Sequence, residues 1–282
     1  MYRSWLFVPG RSAQKLQKAK TLAADSLIFD LEDAVSQNEK GAAREITASE
    51  LNEVHGKYQY VRVNSVESEY VFDDVSATID REGLSGYILP KAETKDDIIK
   101  FDYLVRKLAA RRSSSKEIAI VPLIETARGI MNAHEIATAC KSVQRLGFGA
   151  IDLMLDLFAG STTADTVLFG RQMLVLASTA AGLLPPIDSV DMEFRELDGL
   201  RHEAKRAKCM GYGGKFVIHP NQIKVVNEIF SEDAEQVKKA EQIVAAYEEA
   251  VSKGHGVVQV DGKMVDLPVY ENAKRVLKQN ES

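Results

Sequence analysis

Acidic residues follow two apolar segments of this chain, each at the segment's C-terminal end. Residues 120–124 (IVPLI) lead into Glu125, and residues 146–151 (LGFGAI) lead into Asp152. Short apolar runs of this kind are typical of parallel β-strands that are covered on both faces. A carboxylate at the end of a buried strand is costly unless it is paired or binds a metal ion. Glu125 and Asp152 therefore predict a site for a hard cation.

Other charged residues lie at the ends of further apolar segments: Glu32, Asp33, Arg62, Lys91 and His219. Any one of them could be a structural ion-pair partner, and a histidine before a proline is more often a hydrogen-bonded structural residue. Together they suggest one site, because a cluster of acids without a cation would repel itself.

The ligand types indicate which ion would fit. Oxygen donors in small number suit Mg²⁺, with water and substrate as the remaining ligands, and the lack of a histidine and cysteine set argues against zinc. Bound Mg²⁺ could chelate a 2-oxo or 2-hydroxy acid, and a neighbouring arginine could stabilise an enolate oxygen. This is aldol or Claisen chemistry.

Eight apolar segments must position these residues, and helix-like segments separate most of them. This order predicts an α/β fold, a TIM (β/α)₈ barrel over residues 1–230, with its site at the C-terminal ends of the strands. Residues 161–163 are expected to cap the helix that follows strand six. The predicted strands are 5–9, 26–33, 58–64, 86–91, 118–125, 143–152, 187–192 and 215–220.

Residues 231–282 form a tail that the barrel does not require. Apolar residues at helical spacing predict a helix over 232–252, and an Asp-Gly turn predicts a β-hairpin over 257–266. Pro268 then begins a final helix that runs to about Lys278. This helix–hairpin–helix extension could be a lid, an oligomerisation element or a packing decoration.

Composition excludes several classes of protein. The 282 residues carry a net charge of −5, which argues against broad nucleic-acid binding. There is no apolar run of about 18 residues that would cross a membrane, and the N-terminus lacks the apolar core of a signal peptide. Two cysteines, Cys140 and Cys209, predict reduced, buried thiols in a cytoplasmic protein.

Eight short motifs carry a family resemblance that runs from end to end. The chain resembles the citrate lyase β-subunit-like family of the HpcH/HpaI aldolase superfamily, which includes malyl-CoA, β-methylmalyl-CoA and citramalyl-CoA lyases. The resemblance implies a Mg²⁺-dependent barrel, assembled as a homotrimer or a dimer of trimers. It would cleave a 3-hydroxyacyl-CoA thioester into acetyl-CoA and a 2-oxo acid, pyruvate or glyoxylate. The motifs are RSWLFVPG (3–10), FDLEDAV (29–35), RVN (62–64), LPKAE (89–93), PLIETARG (122–129), GFGAIDL (147–153), GGKFVIHPNQI (213–223) and DGKMVDLP (261–268).

The resemblance also implies roles for individual residues. Glu125 and Asp152 match the family's metal ligands, and Glu125 is also expected to contact the substrate. Arg62 matches the arginine that contacts the substrate and the enolate oxygen. Glu32 and Asp33 match the catalytic acids that hold the waters of the metal.

Two further sites come from the same resemblance. Asp266 matches the catalytic acid/base carried on the tail, which in this family folds over the mouth of a neighbouring subunit. Arg11, Lys15 and Lys18 lie where family members contact the CoA phosphates. A solvated helix face explains these cations equally well, because Arg11 precedes Ser12 where the family often has the small residue first.

Several functions stay open on the sequence alone. The first is a stand-alone acyl-CoA lyase for citramalyl-CoA or malyl-CoA. The chain could instead be a citrate lyase β subunit that acts on citryl bound to an acyl-carrier protein, a malyl-CoA thioesterase, or a non-catalytic CoA-binding paralogue. A simple pyruvate aldolase is less favoured, because it would leave the tail unexplained.

Overall fold

The structure, a computed structural model, describes residues 2–52, 56–111, 116–159, 166–231 and 234–280. The chain divides into two compact units, residues 2–230 and residues 231–282. The expected helix cap at residues 161–163 lies outside the described residues.

The first unit is a closed barrel of eight parallel strands. Each strand pairs with the next along the chain, and β8 pairs with β1 to complete the ring. The predicted TIM barrel is therefore confirmed. The strands are β1 (Ser4–Pro9), β2 (Ser26–Asp30), β3 (Tyr58–Arg62), β4 (Leu84–Leu89), β5 (Ala119–Ile124), β6 (Gly147–Phe148), β7 (Ile187–Asp188) and β8 (Gly214–Val217).

Helices connect these strands, and polar side chains define where several of them begin. Ser12 caps α1 by accepting a hydrogen bond from the N–H of Lys15. Thr94 and Asp97 form a capping box at the start of α4, since each side chain accepts a hydrogen bond from the other residue's N–H. The helices are α1 (Ala13–Thr21), α2 (Lys40–Glu50), α3 (Val71–Thr78), α4 (Lys95–Arg111), α5 (Ala127–Met131), α6 (Ala133–Ala137), α7 (Ala150–Asp156), α8 (Leu168–Ala180), α9 (Asp198–Met210) and α10 (Pro220–Phe230).

Two apolar cores hold the barrel together. One fills the space between the strands and the helices. The other lies inside the ring and includes Trp5, Tyr60 and Phe216, with Arg145 at 5.4 Å from the Trp5 ring. The barrel interior is therefore a packed core, so chemistry must take place at the rim.

Three sequence predictions need correction. The strand expected over 143–152 is only Gly147–Phe148, and Asp152 lies in the first turn of α7 instead of at a strand end. The strand expected over 187–192 likewise stops at Asp188, because Ser189 accepts the N–H of Ala150 from the neighbouring segment. The predicted burial of both thiols was wrong: Cys209 is exposed and Cys140 is half-buried, although both are free.

The second unit is the expected helix, hairpin and helix. It comprises α11 (Ala234–Ser252), β9 (Val258–Val260), β10 (Lys263–Val265) and α12 (Leu267–Asn280). The hairpin turns at Asp261 and Gly262, whose φ angles of 50° and 76° are those of a tight primed turn. The rings of Tyr247 and Tyr270 stack at 4.6 Å and join the two helices. Across the described parts of both units, no helix is long and apolar enough to cross a membrane.

Candidate active site

Glu125 is a deeply buried acid at the C-terminal rim of the barrel. It directly follows β5, it is 2% exposed, and its Oε1 accepts a hydrogen bond of 2.7 Å from the N–H of Lys91. Burial, together with the charges of Glu32 and Asp152, raises the pKa of Glu125 to about 8. A cation beside this carboxylate would remove the cost of ionising it.

Gly149 allows the loop after β6 to pass directly over Glu125. A Cβ at position 149 would lie 2.5 Å from the Cβ of Glu125 and 2.7 Å from its Oε2. Only glycine fits this approach, and it brings Asp152 to the same cavity as Glu125 and Arg62. That cavity has a volume of about 60 Å³.

Asp152 is positioned by hydrogen bonds at both ends of the short helix α7. The N–H of Ala150 donates to Ser189 Oγ at 2.9 Å, which fixes the start of the helix to the segment after β7. Asp156, one turn beyond Asp152, accepts the N–H of Ala127 at 2.7 Å. Asp156 thus ties α7 to the helix that begins just after Glu125.

Arg62 is held rigidly at the end of β3. Its Nε and Nη2 donate to the two oxygens of Asp30 at 2.8 and 2.7 Å, and the guanidinium lies 4.9 Å from the Phe7 ring centroid. Burial alone would lower the pKa of Arg62, but Asp30, Glu32 and Asp33 raise it above its ordinary value. Arg62 is therefore always charged, and its Nη1 is directed at Asp33 and Glu32, each at 3.0 Å.

Glu32 has one carboxylate oxygen that is buried without a hydrogen bond. Its Oε2 lies 3.0 Å from Arg62 Nη1, but in the part of the chain that the structure describes no donor is aligned with it. Its Oε1 lies 3.3 Å from Lys91 Nζ. Burial is the main reason that the pKa of Glu32 is raised to about 7. Arg62 and Lys91 lower this pKa, and Asp33 and Asp30 raise it.

These oxygens fit a magnesium ion. Mg²⁺ keeps most of its water shell and needs only one or two protein carboxylates, and Glu125 and Asp152 are two carboxylates that line one cavity. Within the described residues, no three histidine, cysteine, aspartate or glutamate side chains are grouped to hold a metal ion, so water or substrate would have to supply most of the ligands. The orphaned Glu32 Oε2 is a ready acceptor for a water or a substrate hydroxyl.

The other sequence-predicted residues have different surroundings. Arg11 pairs with Glu39 at 3.2 Å on the surface, and Lys15 and Lys18 are exposed on α1. Asp266 belongs to the second unit, where its Oδ1 accepts the N–H of Val269 at 3.2 Å and caps α12. The His219 ring stacks on Phe194 at 4.8 Å and its Nδ1 accepts a backbone N–H, which is the structural role considered above.

Sequence interpretation missed two groups near the rim. Asp30 orients Arg62, and the parallel register that pairs the two residues is the signal that could have found it. Asp188 is fully buried and binds Arg171 and Lys215, both themselves buried, beside a cavity of about 320 Å³. These three residues come from β7, α8 and β8, and their pairing could not be read from sequence spacing.

The architecture and rim chemistry agree with comparison to known proteins. A family model described as HpcH/HpaI aldolase/citrate lyase matches residues 3–220. The chain belongs to this family. A second model, described as a C–C bond lyase of the TIM-barrel fold, matches residues 169–282. The protein is therefore a lyase of the HpcH/HpaI aldolase/citrate lyase family.

Three curated relatives match almost the whole chain. The citrate lyase subunit β of Haemophilus influenzae is 34% identical over 99% of this chain and 97% of its own length. The mitochondrial citramalyl-CoA lyase of Rattus norvegicus is 32% identical over 98% and 85%. The (3S)-malyl-CoA thioesterase of Cereibacter sphaeroides (strain ATCC 17025 / ATH 2.4.3) is 34% identical over 100% and 95%.

A solved structure in this family is similar over its full length. The protein CitE from Mycobacterium tuberculosis, in complex with magnesium, acetoacetate and coenzyme A, is 29% identical to this chain. The TM-score is 0.82, and the match covers 100% of this chain and 98% of that one.

Proposed function

We propose that this protein is a Mg²⁺-dependent carbon–carbon lyase of citramalyl-CoA or malyl-CoA type. It would cleave a 3-hydroxyacyl-CoA thioester into acetyl-CoA and a 2-oxo acid, pyruvate or glyoxylate. The observation that carries the proposal is the pair of the buried Glu125 and the half-buried Asp152, which shares one small cavity with a charged, immobilised Arg62. The complex of the related CitE with magnesium and coenzyme A, and the citramalyl-CoA lyase activity of another relative, support it.

The protein's own groups suit each part of a retro-Claisen cleavage. When bound, Mg²⁺ would act as a Lewis acid toward the carboxylate and hydroxyl of the substrate. Glu125 and Asp152 would hold the ion. Glu32, with its pKa near neutrality, is suited to take the hydroxyl proton. The C–C bond electrons then pass to the acetyl thioester as an enolate, whose oxygen Arg62 Nη1 would stabilise.

Glu32 and Asp33 would also order the water at the rim. Asp33 is exposed and accepts from Arg62 Nη1 at 3.0 Å, so its second oxygen can receive a hydrogen bond from solvent. Removing either acid would remove an acceptor that faces Arg62 Nη1, while Asp30 would still hold the other side of the guanidinium.

Asp266 would supply the proton that the enolate carbon gains. We propose that the tail carries Asp266 over the mouth of a neighbouring subunit in a homotrimer or a dimer of trimers. A mixing experiment tests this arrangement. Glu125→Gln and Asp266→Asn variants should each be inactive, and mixed oligomers should regain part of the activity, because some mouths would combine an intact barrel with an intact tail. No recovery on co-expression would contradict a shared site.

The cavity also favours a small, singly charged oxo acid. Beyond Arg62 and the two acids, most of its lining is apolar, and among the described residues that line it Arg62 is the only cation. A second carboxylate, as in oxaloacetate, would enter this cavity without a free cation to bind it. Pyruvate and glyoxylate lack that group. The apolar residues are Phe7, Leu123, Phe148, Ile151, Val190 and Phe216.

The CoA moiety is proposed to meet Arg11, Lys15 and Lys18. If these cations bind its phosphates, replacing all three by glutamine should raise the KM for the CoA thioester. The same variant should leave the KM for an N-acetylcysteamine thioester unchanged, because that analogue has no phosphate. Equal effects on both substrates would exclude a phosphate contact.

One assay tests the proposed activity. Citramalyl-, malyl- and citryl-CoA are incubated side by side with Mg²⁺ or with EDTA, and the oxo acid, acetyl-CoA and free CoA are measured. We expect acetyl-CoA with pyruvate or glyoxylate, lost in EDTA, and little cleavage of citryl-CoA. Free CoA without acetyl-CoA would indicate a thioesterase, which the 34% identity to a malyl-CoA thioesterase makes the second candidate. No reaction with any thioester would overturn the proposal.

A further inference from the structure

Lys91 adopts a backbone conformation that residues with a side chain rarely take. It follows Pro90 at the end of β4, and its φ angle is 51°, in the left-handed region. Here the Cβ crowds the following carbonyl, so a lysine stays in this region only where its surroundings compensate for the crowding. The contacts that Lys91 makes in this conformation are therefore informative.

Lys91 contacts two acids from different strands. Its N–H is turned out of the sheet and donates to Glu125 Oε1 at 2.7 Å. The next residue, Ala92, lies beyond β4, and its N–H donates to Leu123 O at 3.3 Å. The Lys91 ammonium lies 3.3 Å from Glu32 Oε1. One residue thus holds the carboxylates that follow β2 and β5, which repel each other.

We propose that Lys91 is a positioning residue of the metal site. Its left-handed backbone occupies Oε1 of Glu125, which leaves Oε2, on the side of Gly149, for the metal ion. Its ammonium holds Glu32 beside Arg62. This inference rests on the proposed metal site. It gives a function to the left-handed conformation of Lys91, which is costly for a lysine.

An ordinary salt bridge does not explain these observations. The Lys91 side chain is 51% exposed, and an ion pair in such a position contributes little to stability. The ammonium could also reach Glu32 from other backbone conformations, because a lysine side chain is long and flexible. The left-handed turn at Lys91 instead joins two backbone hydrogen bonds, from the Lys91 N–H to Glu125 Oε1 and from the Ala92 N–H to Leu123 O.

A substitution series separates the backbone from the charge. Lys91→Gly, Lys91→Asn, Lys91→Ala and Lys91→Val all lack the ammonium and differ in their tolerance of the left-handed region. Mg²⁺ affinity, measured by titration calorimetry on the full-length protein, should be highest for glycine and asparagine, lower for alanine and lowest for valine. We expect a difference of about five- to thirtyfold between glycine and valine, from the cost of the left-handed conformation.

The ammonium is tested by comparison with the unaltered protein. Lys91→Arg should retain more Mg²⁺ affinity than Lys91→Ala, because both carry a Cβ in the left-handed region and only arginine keeps a cation beside Glu32. Lys100→Ala is the matched control, since Lys100 is an exposed lysine that pairs with an exposed acid, Glu67, at 3.2 Å. It should leave Mg²⁺ affinity unchanged. Thermal unfolding in EDTA checks that each variant is folded. If the valine variant does not fold, the Mg²⁺ affinities of the glycine and alanine variants still test the expected order.

The outcomes distinguish this inference from the proposed function. Equal Mg²⁺ affinity for the glycine, alanine and valine variants would overturn the role of Lys91 and leave the metal site intact. No Mg²⁺ binding by the unaltered protein would overturn the metal site and this inference together. Ordered Mg²⁺ affinities in a protein that cleaves no thioester would uphold Lys91 and refute the proposed reaction alone.

Discussion

Raising the pH should destabilise the metal-free protein, and Mg²⁺ should reverse the effect. In the folded protein burial raises the pKa of Glu125 to about 8 and that of Glu32 to about 7, from ordinary values of 4.5. The folded protein therefore holds protons that the unfolded chain has already released. The stability that these two protonated carboxyl groups contribute is fully present below pH 4.5. It is lost as the pH rises through their pKa values in the folded protein.

The expected loss can be worked out from the two shifts. One pKa unit corresponds to about 1.4 kcal/mol. Between pH 6 and pH 8 the ionisation of Glu125 should cost about 2 kcal/mol, because it is only half complete at pH 8, and Glu32 should add about 1 kcal/mol, changed by the repulsion between them. For a barrel of this size the combined loss corresponds to a fall in Tm of roughly 5 to 15 °C.

Thermal unfolding across pH 6 to 9, in EDTA and in Mg²⁺, measures this effect. With Mg²⁺ present the fall in Tm should be smaller, and the Mg²⁺ affinity should rise about tenfold per pH unit up to pH 8, because the ion displaces a proton from Glu125. Glu125→Gln is the control, with a flatter pH profile and no response to Mg²⁺. A Tm in EDTA that rises from pH 6 to 9, or the same slope in both proteins, would refute the reasoning.

Three substitutions test other parts of the site. Asp266→Asn should abolish turnover and leave Mg²⁺ affinity and Tm unchanged, since asparagine also caps a helix; retained turnover would refute the acid/base role. Gly149→Ala should weaken Mg²⁺ binding at least tenfold by displacing Glu125, whereas Gly41→Ala, where a Cβ meets nothing within 4 Å, should not. Asp156→Ala should reduce kcat several-fold and cost about 1 kcal/mol of stability, because α7 loses its tie to the helix after Glu125; an unchanged kcat would show that α7 needs no such tie.

The strand ends could be predicted where a long apolar run meets a charge. Glu125 follows β5 as expected. The six residues of β5 are all buried, and the sequence shows them as one apolar run that ends at the charge. Asp152 was assigned to the same rim but to the wrong element. β6 is only two residues long, and the apolar run around it is shared between the strand and the first turn of α7.

Pairings across the barrel could not be predicted. Lys40 lies in a polar stretch of sequence, yet it is buried and donates to Leu31 O, Glu32 O and Asn64 Oδ1. Its position behind the acid Glu32 depends on how α2 packs against β2 and β3. The left-handed conformation of Lys91 was equally hidden, because nothing in a lysine's chemistry favours it.

The barrel interior places the chain's single tryptophan at the opposite end from the candidate site. Trp5 is fully buried near the start of β1, with Tyr60 at 4.8 Å and the Arg145 guanidinium at 5.4 Å. Its fluorescence therefore has one source, whose emission reports the floor of the ring. Its emission should shift on denaturation and stay unchanged when Mg²⁺ or a thioester is added. Trp5 fluorescence would then report the folding of the barrel separately from ligand binding at the rim.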